Sequence, residues 1–241
     1  MATSTVLIPQ AGLKLPSGWG RRDNMVKMYK DGLAKYGNFF KQASETSKIP
    51  VSLLMAFAIV ESGLNPKANA GESMSPSPWR STAGLTQWDR RKGYADKYLS
   101  TEFKMGRMSE KEKEILKRKG VKWDAQGNFA PITAEQQLDP ELNILIGSIY
   151  VGQYADSIYG GKKDDVEWGK DGDIIRLDRI ITVYNRGGGG NDGKKARSKQ
   201  YKTPLELSKV VHPNASTYIH KIMGKDGALD VATKEFKDLI S

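Results

Sequence analysis

Ile49-Pro50-Val51-Ser52-Leu53-Leu54-Met55-Ala56-Phe57-Ala58-Ile59-Val60-Glu61-Ser62 is the most apolar stretch of the 241-residue chain, and it ends in a carboxylate. Pro50 suits the opening of a helix, because the first turn does not need its missing N–H. From Val51 the residues are apolar on nearly every face, too many in a row for an ordinary strand and rich in Ala and Met. The stretch therefore reads as a helix buried inside a domain. Gly63 and Asn65-Pro66 stop it at once and leave Glu61 at its last turn. Burial disfavours the charged form of a carboxyl and raises its pKa toward the range in which it donates a proton near neutrality. The alternative for Glu61 is a solvated helix-terminal side chain that merely precedes a turn.

The chain carries 38 Lys and Arg against 28 Asp and Glu, a formal charge of +10. Such a charge attracts polyanions, whether nucleic acid, acidic wall polymers or anionic membrane surfaces. The basic residues are spread along the chain without a zinc-finger, RNP-like or basic-region pattern, which weighs against a specific nucleic-acid partner. There is no cysteine, so disulfide and thiolate chemistry are excluded. His212 and His220 stand eight residues apart with no cysteine near them, and no metal site is expected. No apolar run reaches membrane-spanning length, and Met1 to Pro16 lacks the order of a signal peptide.

Outward from the apolar helix, residues 1–22 read as an irregular arm, surface-hugging or flexible, and 23–241 as a single, mostly α-helical domain. Met25, Met28, Tyr29, Leu33, Tyr36, Phe39, Phe40 and Ala43 predict an amphipathic helix from Asp23 to about Ser44. Residues 63–83 form a Gly-, Ser- and Pro-rich loop, and Gly84-Leu85-Thr86-Gln87-Trp88 leads into a helix-like stretch reaching about Leu99. Ser109-Glu110-Lys111-Glu112 is a capping box that opens a short charged helix. Asp139-Pro140 starts a further apolar helix, on which Asn143, Gly147 and Tyr150 share one face. Residues 173–184 repeat apolar side chains at helical spacing, and two more helices are expected over 215–223 and 229–239. Gly187 to Gly190 suit a mobile loop. They follow no strand and lack the spacing of a nucleotide fingerprint, so no cofactor is expected.

Taken in order, Glu61-Ser62, Asn65-Pro66, Gly84-Leu85-Thr86-Gln87, the Asn143-x-x-x-Gly147-x-x-Tyr150 helix, Val183-Tyr184-Asn185-Arg186-Gly187 and Tyr218-Ile219 resemble the catalytic domain of the soluble lytic transglycosylases. These are relatives of goose-type lysozyme within the lysozyme-like fold, and the resemblance covers about residues 38–223. Thr86 departs from the usual Met of the third motif, and Arg186 stands where a small residue is usual. The loop after Glu61 is lengthened around Ser75 to Arg80, and an inserted segment occupies about 100–135.

The resemblance implies a lysozyme-like helical domain with loop insertions that cleaves the bond between N-acetylmuramic acid and N-acetylglucosamine in bacterial peptidoglycan. Glu61 would act first as general acid and then as base, closing a 1,6-anhydro ring without water, a route for which one carboxylate suffices. Tyr184 would hold Glu61 through its hydroxyl, with Ser62 beside it. Gln87 and Asn185 offer the mixed donors and acceptors that sugars need, and Tyr150 lines the groove or belongs to the core. Trp79, Trp88 and Trp123 are candidates for stacking on sugar faces or for core packing, Trp79 first among them. A hydrolytic goose-lysozyme-like muramidase is the alternative, with Glu72 or Asp89 directing water, and a non-enzymatic wall-binding or structural protein is another. Expected partners are peptidoglycan strands, with other bacteriophage virion or secretion proteins docking on residues 1–22 or 100–135. The expected location is virion-associated, or the periplasm or cell wall reached without a signal peptide.

Overall fold

The computed structural model describes residues 12–20, 22–69, 82–90, 94–159, 176–187 and 189–236. Among them, regular structure is helical: α1 (Arg22–Ser47), α2 (Val51–Ser62), α3 (Tyr94–Lys104), α4 (Glu110–Arg118), α5 (Ala134–Leu138), α6 (Pro140–Tyr159), α7 (Leu177–Arg186), α8 (Asn191–Arg197), α9 (Pro204–Val210), α10 (Pro213–Met223) and α11 (Ala228–Glu235). Extended pairing among these residues is confined to isolated bridges, Lys14 with Lys225, Thr82 with Asp89 and Trp123 with Phe129. No helix among the described residues is long and apolar enough to cross a membrane.

α2 is the central rod. Every residue from Ser52 to Val60 is buried, and α1, α6, α10 and α11 pack around it. Gly63 closes it in the left-handed conformation (φ 61°), its N–H returning to Ile59 O at 2.9 Å while Leu64 N–H reaches Ala58 O at 3.4 Å. The carbonyls of the last turn are thereby partnered, and Glu61 and Ser62 emerge half-buried where the rod meets the surface.

A second apolar cluster gathers Leu99, Ile115, Leu116, Phe129, Ile132 and Leu142 around α3, α4 and one face of α6. Most of residues 100–135 therefore build a small core of their own against α6. The capping box at Ser109 is present, with Glu112 N–H donating to Ser109 Oγ and Ser109 N–H to Glu112 Oε2. Asp139 Oδ1 accepts Leu142 N–H at 3.0 Å at the start of α6.

The helix-like stretch expected to reach about Leu99 is α3, Tyr94–Lys104, and residues 82–90, which lead toward it, are irregular, because their backbone is bound by buried side chains of α6. Two helices beyond those expected follow the glycines: α8, which Gly190 precedes, and α9, which follows a Thr203–Glu206 capping box. Within residues 1–22, Leu13 is buried and Lys14 N–H donates to His220 Nδ1 at 3.1 Å, so 12–20 are strapped to the body.

The face shared by Asn143, Gly147 and Tyr150 receives the 82–90 segment. A Cβ on Gly147 would sit 2.5 Å from Thr86 Oγ1. Gly147→Ala ought to stabilise an ordinary helix interior by about 0.5–1 kcal/mol. Here we expect the opposite sign, a destabilisation of about 1–3 kcal/mol from overpacking, measured by denaturant unfolding; a gain in stability would show that Gly147 is not needed for this contact.

Candidate active site

Glu61 is the centre of the site. Burial of its carboxyl is the main influence on its pKa and pushes it up to about 8, against a hydrogen bond from Tyr218 and the positive charge of Lys221, both of which favour the carboxylate. Tyr218 Oη donates to Glu61 Oε2 at 2.9 Å. Tyr218 and Lys221 lie three residues apart on one face of α10, so a single helix brings both groups to the acid. Lys221 Nζ sits 4.0 Å from the Trp19 ring centroid and 5.8 Å from that of Tyr218; desolvation there lowers its own pKa. The shift favours the protonated form of Glu61 near neutral pH.

Tyr184 has a different role from the one expected. Its hydroxyl donates to Thr86 O at 2.5 Å, and Tyr218 on α10 takes the bond to Glu61. Tyr184 still belongs to the site. Its ring packs on Phe57 of α2, with centroids 4.7 Å apart, and the charge of Glu61 raises its pKa further after burial has done so. Ser62 Oγ lies 2.9 Å from Ala58 O and 2.8 Å from Leu85 O, which ties the end of α2 to the 82–90 segment.

Beside Glu61 lies a cavity of about 730 Å³ lined by Gln87, Asp89, Tyr150, Tyr184 and Asn185 of the expected residues, together with Tyr94, Tyr98, Gln153, Tyr154, Arg186 and Arg197. Glu61 is not part of its lining; Tyr184 is the neighbour that the two share. Gln87 is held in the left-handed region (φ 51°), with Nε2 donating to Gly84 O at 2.8 Å and Oε1 accepting from Asn69, so it pins the loop as well as lining the cavity. Tyr150 is buried, and its hydroxyl donates to Asp89 O at 3.0 Å. The Asn185 Oδ1 atom is buried without a hydrogen-bond partner.

Trp88 is core, 2% exposed, with its indole N–H donating to Asn143 O. Trp123 stacks on Phe129, 5.2 Å between centroids, in the second cluster. Trp79 and Glu72 lie outside the described residues. Tyr94, Tyr98 and Tyr154 form an aromatic wall that was not singled out from the sequence: Tyr98 stacks at 6.5 Å on Tyr94 and meets Tyr154 edge-on at 6.0 Å. Tyr94 and Tyr98 are spaced four apart on α3, but only the packing of α3 against α6 brings them to Tyr154. Among the described residues no group of His, Asp and Glu is placed to hold a metal ion.

No family model matches the chain, and no curated protein matches it. The labels suggested by the resemblance are corrected accordingly: lytic transglycosylase, lysozyme-like, muramidase, bacteriophage, virion-associated and bacteriolytic find no support in these comparisons. What stands is an all-helical domain with a half-buried carboxyl at the end of α2 beside an aromatic cleft.

The raised pKa of Glu61 links its proton to stability. From about pH 4.5 to 8 the folded chain binds more protons at this site than the unfolded chain. The associated stability is therefore complete below the unfolded pKa and lost as pH rises through 8. Glu61→Gln, which keeps the neutral shape, should match the parent at pH 4 and exceed it at pH 9 by up to about 5 kcal/mol. Urea unfolding at the two pH values measures this, and an equal difference at both would place the carboxyl in water.

Proposed function

We propose that the protein cleaves the β-1,4 bond between N-acetylmuramic acid and N-acetylglucosamine in bacterial peptidoglycan, with Glu61 as its general acid. The observation that carries this reading is a carboxyl kept protonated at neutral pH by burial and held by Tyr218, next to a cleft of tyrosines and amides. Tyrosine faces suit the C–H surfaces of pyranose rings, and Asn185 and Gln153 supply amides for hydroxyl and N-acetyl groups.

Glu61 protonates the leaving glycosidic oxygen as the C1–O bond breaks, and positive charge develops on the muramyl ring. The resulting carboxylate then accepts the proton of the sugar's own C6 hydroxyl while O6 bonds to C1. The proton given to the leaving group is thus replaced, a 1,6-anhydro ring closes, and no water is consumed. The tethered nucleophile removes much of the entropic barrier to attack, and one carboxylate serves both halves of the reaction.

A second reading, hydrolysis, is favoured by one observation. Asp89 lines the cavity that lies beside Glu61 and would be the second carboxylate that a water-directing mechanism uses. Mass spectrometry of peptidoglycan digests separates the two. Anhydro ends, absent with Glu61→Gln, support the first reading. Reducing ends carrying one added water support the second, and with it a loss of activity in Asp89→Ala. No products from the intact protein would leave a wall-binding role.

Tyr218 gives an independent check. Its hydroxyl opposes the upward shift of Glu61, so Tyr218→Phe should raise that pKa and move the alkaline limb of the pH–rate profile to higher pH. A limb that stays in place or moves to lower pH would remove Glu61 as the group that the profile reports.

A further inference from the structure

The cleft continues past its aromatic wall into a basic end. Arg186, the last residue of α7, lines both the large cavity and a second one of about 430 Å³ formed with Asp192, Lys195 and His212. Gly187 and Gly189 line the first cavity and Gly190 the second, and a Cβ built on any of the three would meet nothing within 4 Å. Gly187, Gly189 and Gly190 therefore give these cavities a floor of bare backbone under open space.

The cations bordering this floor are held in place. Arg186 Nε lies 3.3 Å from Asp192 Oδ2. Lys195 Nζ donates to Val210 O and stands 3.7 Å from Asp192 Oδ1. Arg197 lines the first cavity and is anchored through Nη1 to Gly193 O at 3.0 Å. Asp192 and, in the first cavity, Asp89 are the carboxylates among the lining residues, against three cations. A planar guanidinium presents paired N–H groups that match a carboxylate, and it stays charged at any working pH.

We infer that this glycine floor is a subsite for a carboxylate borne on a substituent of the glycan, gripped by Arg186 and supported by Arg197 and Lys195. The inference rests on the reading of Glu61 as a glycan-cleaving acid and adds the class of strand the cleft selects, an acidic one. Arg186 is its specificity-determining residue.

The test uses the full chain with Glu61→Gln, so that strands bind without being cut. Calorimetry at low salt compares three probes: a neutral β-1,4-linked N-acetylglucosamine hexamer, peptide-free peptidoglycan strands whose lactyl groups are free carboxylates, and peptide-bearing strands. We expect an acidic strand to bind about tenfold tighter than the hexamer, as a charged hydrogen-bonded contact implies. Adding Arg186→Ala should bring that ratio to about one, and Arg186→Lys should keep part of it, which excludes misfolding as the cause. Preference for the peptide-free strands identifies the lactyl carboxylate as the ligand, and preference for the peptide-bearing ones identifies the peptide carboxylate. Hexamer binding with no preference for either strand, or a preference untouched by Arg186→Ala, overturns the inference alone. Failure of all three probes to bind overturns the glycan reading together with it.

Discussion

One buried amide organises the site. Asn143 Oδ1 accepts from Thr86 N–H at 2.8 Å and faces Thr86 Oγ1 at 2.9 Å, while its Nδ2 donates to Ala83 O at 3.1 Å and Gln137 O at 2.7 Å. The side chain is fully buried and uses both its donors and its acceptor. Through it, a rigid helix dictates the path of an irregular segment that has no periodic hydrogen bonding of its own. The dependence spreads from there. Thr86 O receives the Tyr184 hydroxyl, Leu85 O lies beside Ser62 Oγ, and Asp89 O receives the Tyr150 hydroxyl. An aspartate at 143 would lose both donors and put an uncompensated charge in the core.

The segment also explains two glycines by close approach. Gly84 has φ 81°, and a Cβ there would lie 2.3 Å from Asn143 Nδ2; Gly147 leaves room for Thr86 from the other side. α6 and the loop thus approach closely on both sides, and Ser62 Oγ beside Leu85 O holds the half-buried end of α2 to the same loop.

Much of the scaffold is legible in the sequence because local and global signals agree. The all-apolar run of α2, the capping box at Ser109, the Asp139-Pro140 start of α6 and the Asn143–Gly147–Tyr150 face each follow from chemistry within a few residues. α8 was missed because Asn191 to Arg197 is short and polar, and only the burial of Gly193 and Ala196 against neighbours makes it a helix. α9 carried a readable signal in Thr203-Pro204-Leu205-Glu206. The place of Glu61 at the end of a buried rod was legible, but its hydrogen-bond partner was not. Tyr184 and Tyr218 are equally plausible by type, and only the packing of α10 beside α2 decides between them. The aromatic wall was hidden for the same reason, since Tyr98 and Tyr154 meet across 56 residues of chain.

The strap of residues 12–20 matters beyond the area it covers. Lys14 pairs with His220 and Lys225, and Trp19 lies under Lys221, so the beginning of the described chain clasps the end of α10, the helix that also carries Tyr218. Glu61 itself sits at the C-terminal end of α2, where the helix macrodipole is negative and resists a carboxylate. Its proton is thus balanced between a dipole and burial that retain it and a clasped helix that loosens it. The acidity of one carboxyl is in this way a property of chain segments some two hundred residues apart, assembled only when the fold is complete.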